Sequence, residues 1–301
     1  MYIQQIEHLL LEHCYHLGIL KKTAPLKKKD AILDSLVAAI FRTGVQKEDL
    51  NVFLNEVNNN IVLNINLFTD GGNLYDYIPE KWHAFIKALW RQRSVGLGTP
   101  NAASGEGELM FVFISPQISK ATRGDLLING ENIELKGEGV RVQGLISGKH
   151  FRQKTLSVLQ TYKLTPNKSI KTNLDSFEIE KKPHAQYWLN VLGNLNINTQ
   201  KNIINDYLKC IDDFDHIDSV ENIFCPNINL TILYKEIVKI IYTQMVSYRK
   251  FDKFIILGDG TNIKIVKSTE EFKRKIDEDI IKLGSDYFRI NQDMNIGWYI
   301  Y

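Results

Sequence analysis

Gly124-Asp125-Leu126-Leu127-Ile128-Asn129-Gly130-Glu131-Asn132-Ile133-Glu134-Leu135-Lys136-Gly137 is the stretch on which the fold of this chain turns. Asn-Gly between two short apolar runs is a strong hairpin signal, because the two-residue turn that matches strand twist needs positive φ at both positions. With Asn129 and Gly130 as the turn, Ile128 pairs with Glu131, and counting back along both strands sets Asp125 opposite Glu134. Cross-strand partners share a face, and the side-chain period of two adds Lys136 to it, while Leu126, Ile133 and Leu135 point to the other side. Two carboxylates and one ammonium then converge at one end of the hairpin. A three-residue turn would break the alignment.

Carboxylates this close repel each other and invite a divalent cation, and an all-oxygen donor set favours magnesium, with manganese as a substitute. A lysine beside such a cation orients or deprotonates an attacking water and offsets charge on a phosphate. That chemistry is phosphodiester hydrolysis.

Asp125, an eight-residue gap and then Glu134-Leu135-Lys136 resemble the D…ExK signature of the PD-(D/E)xK nuclease superfamily, which includes type II restriction endonucleases, phage endonucleases and junction resolvases. The resemblance implies a metal-dependent DNA endonuclease built on a restriction-endonuclease-like core, a central mixed β-sheet flanked by helices. It implies that Asp125 and Glu134, with the Leu135 carbonyl, bind Mg²⁺, that Lys136 positions the nucleophilic water, and that an acidic residue on a preceding helix completes the site. Gly105-Glu106-Gly107-Glu108-Leu109 offers two candidates for that acid. Glu108 is preferred to Glu106 because it directly precedes the apolar run that would seat the helix in a core. Gly137 and Arg141, just past the strand, are placed to admit and bind a phosphate, and Lys149, Arg152 and Lys154 follow as further DNA contacts. Gly124 stands where the family name has proline. The motif-bearing resemblance covers residues 105–145 of the chain.

Composition sets the frame for this reading. With 301 residues, 44% hydrophobic and 24% charged, the chain can bury a core without staples. A formal charge of +2 means that DNA binding must come from local clustering and not from a global field. Cys14, Cys210 and Cys225 are odd in number and lack the C-x-x-C spacing, so no disulfide framework is expected and a reducing, cytoplasmic setting fits. No uninterrupted apolar run exceeds the six residues seen at Leu109 to Ile114, against roughly 20 for a bilayer span. Met1-Tyr2-Ile3-Gln4 has no basic n-region. Neither a membrane span nor secretion is expected, and a homodimer is compatible with the sequence.

Residues 1–95 read as a helical amino-terminal region and 96–301 as the nuclease core, with a helical insertion around 165–248. Apolar residues recur at helical spacing from Ile3 to Leu17 and from Ile32 to Ile40; 45–57 allows a third helix, and Pro79 precedes Trp82 to Trp90. Gly96-Leu97-Gly98-Thr99-Pro100 reads as a linker. Further helices are expected at 151–163, 185–193, 199–210 and 229–248. Phe254 to Leu257 and Ile263 to Val266 form a second hairpin around Asp259-Gly260, Ser268-Thr269-Glu270-Glu271 starts another helix, and Ile296 to Tyr301 closes the chain as a strand.

His8, Glu12 and His16 fall on one helix face at zinc-like spacing but lack a fourth ligand, so they read as solvated face residues. Lys21, Lys22, Lys27, Lys28 and Lys29 either contact a nucleic-acid backbone or are simply solvated. The rival to an enzyme is a DNA-binding or virion component that keeps the nuclease fold without turnover.

Overall fold

Apolar residues at helical spacing near the start of the chain become α1 (Tyr2–His16), α2 (Leu26–Thr43), α3 (Lys47–Asn58), the one-turn α4 (Leu67–Asp70) and α5 (His83–Trp90). The structure is a computed structural model that describes residues 2–90, 107–137, 141–163, 192, 195–258, 261–283, 289–290 and 295–299. The run Leu109 to Ile114 lies in α6 (Glu108–Ile114), and all six residues are buried, the expected fate of a helix that is apolar all round. Phe53 meets Trp82 and Phe85 edge-on, with ring centroids 5.0 and 4.9 Å apart.

The chain is a mixed α/β protein that packs as two compact units, one comprising Met1–Glu138 and Lys250–Ser268, the other Gly139–Arg249 and Thr269–Tyr301.

In the first unit, helices flank a six-stranded mixed sheet. Its strands are β1 (Gly72–Asn73), β2 (Ile118–Lys120), β3 (Leu126–Ile128), β4 (Glu131–Gly137), β6 (Lys253–Gly258) and β7 (Asn262–Val266), in the order β1-β7-β6-β4-β3-β2. Every pairing is antiparallel except β4 with β6, which run parallel with Glu134 beside Phe254 and Lys136 beside Ile256. Parallel neighbours need a long connection, and the whole stretch 139–249 supplies it. One face of the sheet carries Leu126, Ile128, Ile133, Leu135, Ile255, Ile263 and Ile265. These residues join Ile6, Leu36, Phe53 and Phe85 of the helices in one buried core. The helical amino-terminal region and the hairpin therefore share a core. The second hairpin has the expected pairing, Phe254 with Val266 through to Leu257 with Ile263; its Asp259-Gly260 turn lies outside the described residues.

In the second unit β5 (Arg141–Ser147), β8 (Arg289–Ile290) and β9 (Asn295–Tyr299) form a sheet in the order β5-β9-β8. Its helices are α7 (Gly148–Thr161), α8 (Ile197–Asp212), α9 (Ile217–Ile223), α10 (Leu230–Arg249) and α11 (Thr269–Asp277). α10 packs against β5 and α11, and the Tyr242 and Phe272 rings stack with centroids 3.6 Å apart. The helix expected at 185–193 lies outside the described residues apart from Leu192, which is helical, and the Gly96 to Pro100 linker also lies outside them. Among the described residues no helix is long and apolar enough to cross a membrane.

Candidate active site

The site is built on the β3–β4 turn. Asn129 and Gly130 have φ of 50° and 82°, the positive pair that a two-residue hairpin turn demands. Ile128 pairs with Glu131 and Leu126 with Ile133, as the count from the sequence requires. Asp125 lies just before β3, and its N–H donates at 2.8 Å to the carbonyl of Ile133, the residue that Leu126 already pairs with, which holds Asp125 against β4.

Gly124 occupies a position that only glycine fits. Its φ is +76°, and a Cβ placed on it would lie 2.8 Å from the Ile133 carbonyl oxygen and 3.1 Å from the carbonyl carbon. Proline is locked near φ −65°, and any side chain would collide with fixed backbone, so this path into Asp125 requires glycine.

Lys136 gathers the two acids. Its Nζ lies 2.5 Å from Glu134 Oε1 and 3.3 Å from Asp125 Oδ2, and it donates to the Leu135 carbonyl at 3.0 Å. The Leu135 N–H donates to Asp125 Oδ2 at 2.8 Å, fixing that carboxylate from the strand itself. The Glu134 side chain is fully buried, while those of Lys136 and Asp125 keep 17% and 20% of their surface exposed. Strand register sets Phe254 and Val266, both buried, in line with Glu134 across the sheet. A carboxylate on such an apolar background is costly without a countercharge, and Lys136 supplies it. The start of β6 is pinned to β4 by two further contacts: Lys253 pairs with Glu131 at 2.5 Å, and Asp252 accepts from the Asn132 N–H at 2.7 Å.

Glu108 opens α6 and is partly exposed. Lys120, at the end of β2, feels the charge of both Glu108 and Asp125. Its pKa is nevertheless lowered, first by partial burial and then by the neighbouring Lys28 ammonium, against the upward pull of the two acids. Among the described residues no group of three or more His, Cys, Asp or Glu side chains is placed to hold a metal, so Glu108 does not join Asp125 and Glu134 in one cluster. Glu106 lies outside the described residues.

What Asp125, Glu134 and the Leu135 carbonyl do offer is three oxygen atoms that all contact one cationic atom, Lys136 Nζ. Such a donor set suits a hard divalent cation that keeps several waters.

The basic residues expected to contact DNA belong to the second unit. Arg141 opens β5, where it pairs with Tyr299 of β9 in the second unit. Lys149 and Arg152 lie on α7 of the same unit. Lys154, also on α7, forms an ion pair with the largely exposed Asp213. His8, Glu12 and His16 are exposed on α1, as their solvated reading requires. Lys120 was not singled out by sequence, where nothing marks it; only its place on β2 next to β3 brings it near Asp125.

Comparison of the chain with protein-family models, curated proteins and solved structures finds no match.

Proposed function

We propose that this protein is a metal-dependent endonuclease that hydrolyses DNA phosphodiester bonds on a restriction-endonuclease-like core. The observation that supports this most is the convergence of Asp125, Glu134 and Lys136 on one end of a hairpin, with one ammonium in contact with both carboxylates. Asp125 and Glu134, with the Leu135 carbonyl, are the residues that would hold Mg²⁺ or Mn²⁺. When bound, the cation polarises a phosphoryl oxygen and acidifies a water.

The chain's own groups do the rest. Lys136 Nζ offers hydrogen-bond donors to the attacking water and to a non-bridging phosphate oxygen, and its charge offsets that of the phosphate. The Leu135 N–H keeps Asp125 aimed at the same point as Glu134. Glu108, outside the two-carboxylate cluster, acts through water, and Arg141, Lys149 and Arg152 remain candidates for backbone contacts. Lys154 is the least suited to that task, because Asp213 already takes its charge.

A second reading has its own support: Lys136 contacts both carboxylates and offsets one of their two charges, so the triad holds together without a metal. That suits a DNA-binding or virion protein that retains the fold without turnover. Incubation of supercoiled plasmid with Mg²⁺, Mn²⁺, Ca²⁺ or EDTA separates the two. Nicked or linear product with Mg²⁺ or Mn²⁺, lost in folded Lys136→Ala and Asp125→Asn proteins, is the expected outcome. No cleavage, or equal cleavage by the variants, would sink the nuclease reading.

A further inference from the structure

We propose that the first unit carries a second site, a cleft in which Lys21, Lys28 and Lys120 hold a phosphate of the DNA strand near the one that reacts. The proposal takes DNA as the source of that phosphate from the nuclease reading above.

The cleft has a volume of about 460 Å³ and lies between the segment after α1, the start of α2, one turn of α6 and the end of β2. That volume is within the range of small-ligand sites. Lys21, Lys28 and Lys120 line it together with the hydroxyls of Thr23 and Ser119, and Val112 forms apolar wall. No carboxylate lines it. Lys21 and Lys120 are exposed and Lys28 is half-buried.

Ammonium groups gathered on one wall repel, and the repulsion is felt here, since Lys28 acts on Lys120. An anion entering between them removes that repulsion and gains charge-assisted hydrogen bonds to lysine and hydroxyl donors. Lysine suits this role because it meets phosphate as a compact point charge. The other members of the lysine run are engaged or face away: Lys29 Nζ donates to the Lys22 carbonyl at 2.8 Å, and Lys22 and Lys27 do not line the cleft.

Position favours a nucleic-acid strand as the source of the anion. Lys120 pairs with Leu126 across β2 and β3, and the Ala121 N–H reaches the Asp125 carbonyl at 3.4 Å. The lip of the cleft is thus one strand away from the residue after the first catalytic acid. A DNA strand offers a phosphate about every 3.4 Å along the helix axis. A strand with one phosphate at Asp125 therefore has others nearby that the cleft can take.

The test is the salt dependence of binding by the full chain to a short labelled duplex in Ca²⁺. Lys28→Gln/Lys120→Gln should lower the slope of log K against log salt by about one, the loss of a single phosphate contact, and weaken unrelated sequences alike. Lys22→Gln/Lys27→Gln, which removes the same charge outside the cleft, should change the slope by less. Unchanged thermal melting of both variants establishes that they fold. A wild-type slope in the cleft variant, or equal loss in both, overturns the proposal. Uptake of inorganic phosphate at matched ionic strength with no change in duplex slope would assign the cleft to a free phosphate and overturn the DNA assignment. The two readings fail separately: binding that depends on Lys28 and Lys120 without plasmid cleavage leaves the cleft and removes the nuclease, and cleavage with an unaltered slope does the reverse.

Discussion

Lys136 and Lys120 sit two strands apart on one sheet and live in opposite surroundings. Lys136 is held by two carboxylates and a carbonyl beside a fully buried glutamate. Lys120 stands exposed at the lip of a cleft without carboxylates; partial burial and then Lys28 lower its pKa, against the pull of Glu108 and Asp125. The contrast separates two uses of positive charge. Charge compensated inside the fold has its geometry fixed and suits chemistry at a defined atom. Charge left facing other positive charge is held for something that arrives from outside.

The sharpest way to break this comparison is to remove Lys136. Lys136→Met removes the ammonium that contacts the buried Glu134 carboxylate and should cost about 3–5 kcal/mol in urea unfolding. Adding Glu134→Gln in the same chain should return part of that. A cost under about 1 kcal/mol would mean that Lys136 compensates nothing.

His13 supplies the opposite limit, a buried titratable group without a countercharge. It touches the Phe113 carbonyl through Nε2 at 3.1 Å, and burial lowers its pKa from 6.5 to about 4, with the carbonyl opposing and His16 adding to the shift. The fold therefore favours the neutral ring. Below the ordinary value the unfolded chain takes up a proton that the folded chain refuses, so stability falls as pH drops from about 6.5 to about 4, by about 3 kcal/mol in all. Carboxylates titrate in part of that window, so the measurement is the difference between wild type and His13→Gln across it. Parallel pH profiles would show that His13 accepts charge where it is.

Gly124→Ala should have the smallest effect on stability, about 1–3 kcal/mol for a left-handed residue forced to carry a side chain. Its plasmid-cleavage defect should exceed what that loss explains, because the contact with the Ile133 carbonyl moves Asp125. Wild-type activity in Gly124→Ala would detach the path of the chain at 124 from the site.

The hairpin was legible in the sequence to the residue, because Asn129-Gly130 fixes a turn and a turn fixes register. The apolar periods of α1, α2 and α10 and the β6–β7 pairing were legible for the same local reason. The parallel partnership of β4 with β6 was not, since nothing in Ile133 to Lys136 encodes which distant strand lies alongside. β5 was not among the strands expected, because Arg141 was read for its charge and not for the Val142, Leu145 and Ile146 that follow it. The cleft was half visible: the run from Lys21 to Lys29 was seen, but which of its members meets Lys120 depends on where α2 docks against β2. Gly124 could have been found had the absent proline been taken as a statement about backbone angle.

The first unit is interrupted in sequence, and this bears on how the protein is made. Asp125, Glu134 and Lys136 leave the ribosome long before Phe254 and Ile256, their neighbours across β4. Until those arrive, one side of β4 is an unpaired edge, the kind of surface on which chains associate wrongly. Closing a contact across so much intervening chain is also slow relative to local pairing. A fragment ending at Arg249 holds every motif residue and still lacks the strand that makes β4 interior. The smallest piece of this protein that completes the sheet around Glu134 and Lys136 is thus set by its last parallel strand and not by the hairpin.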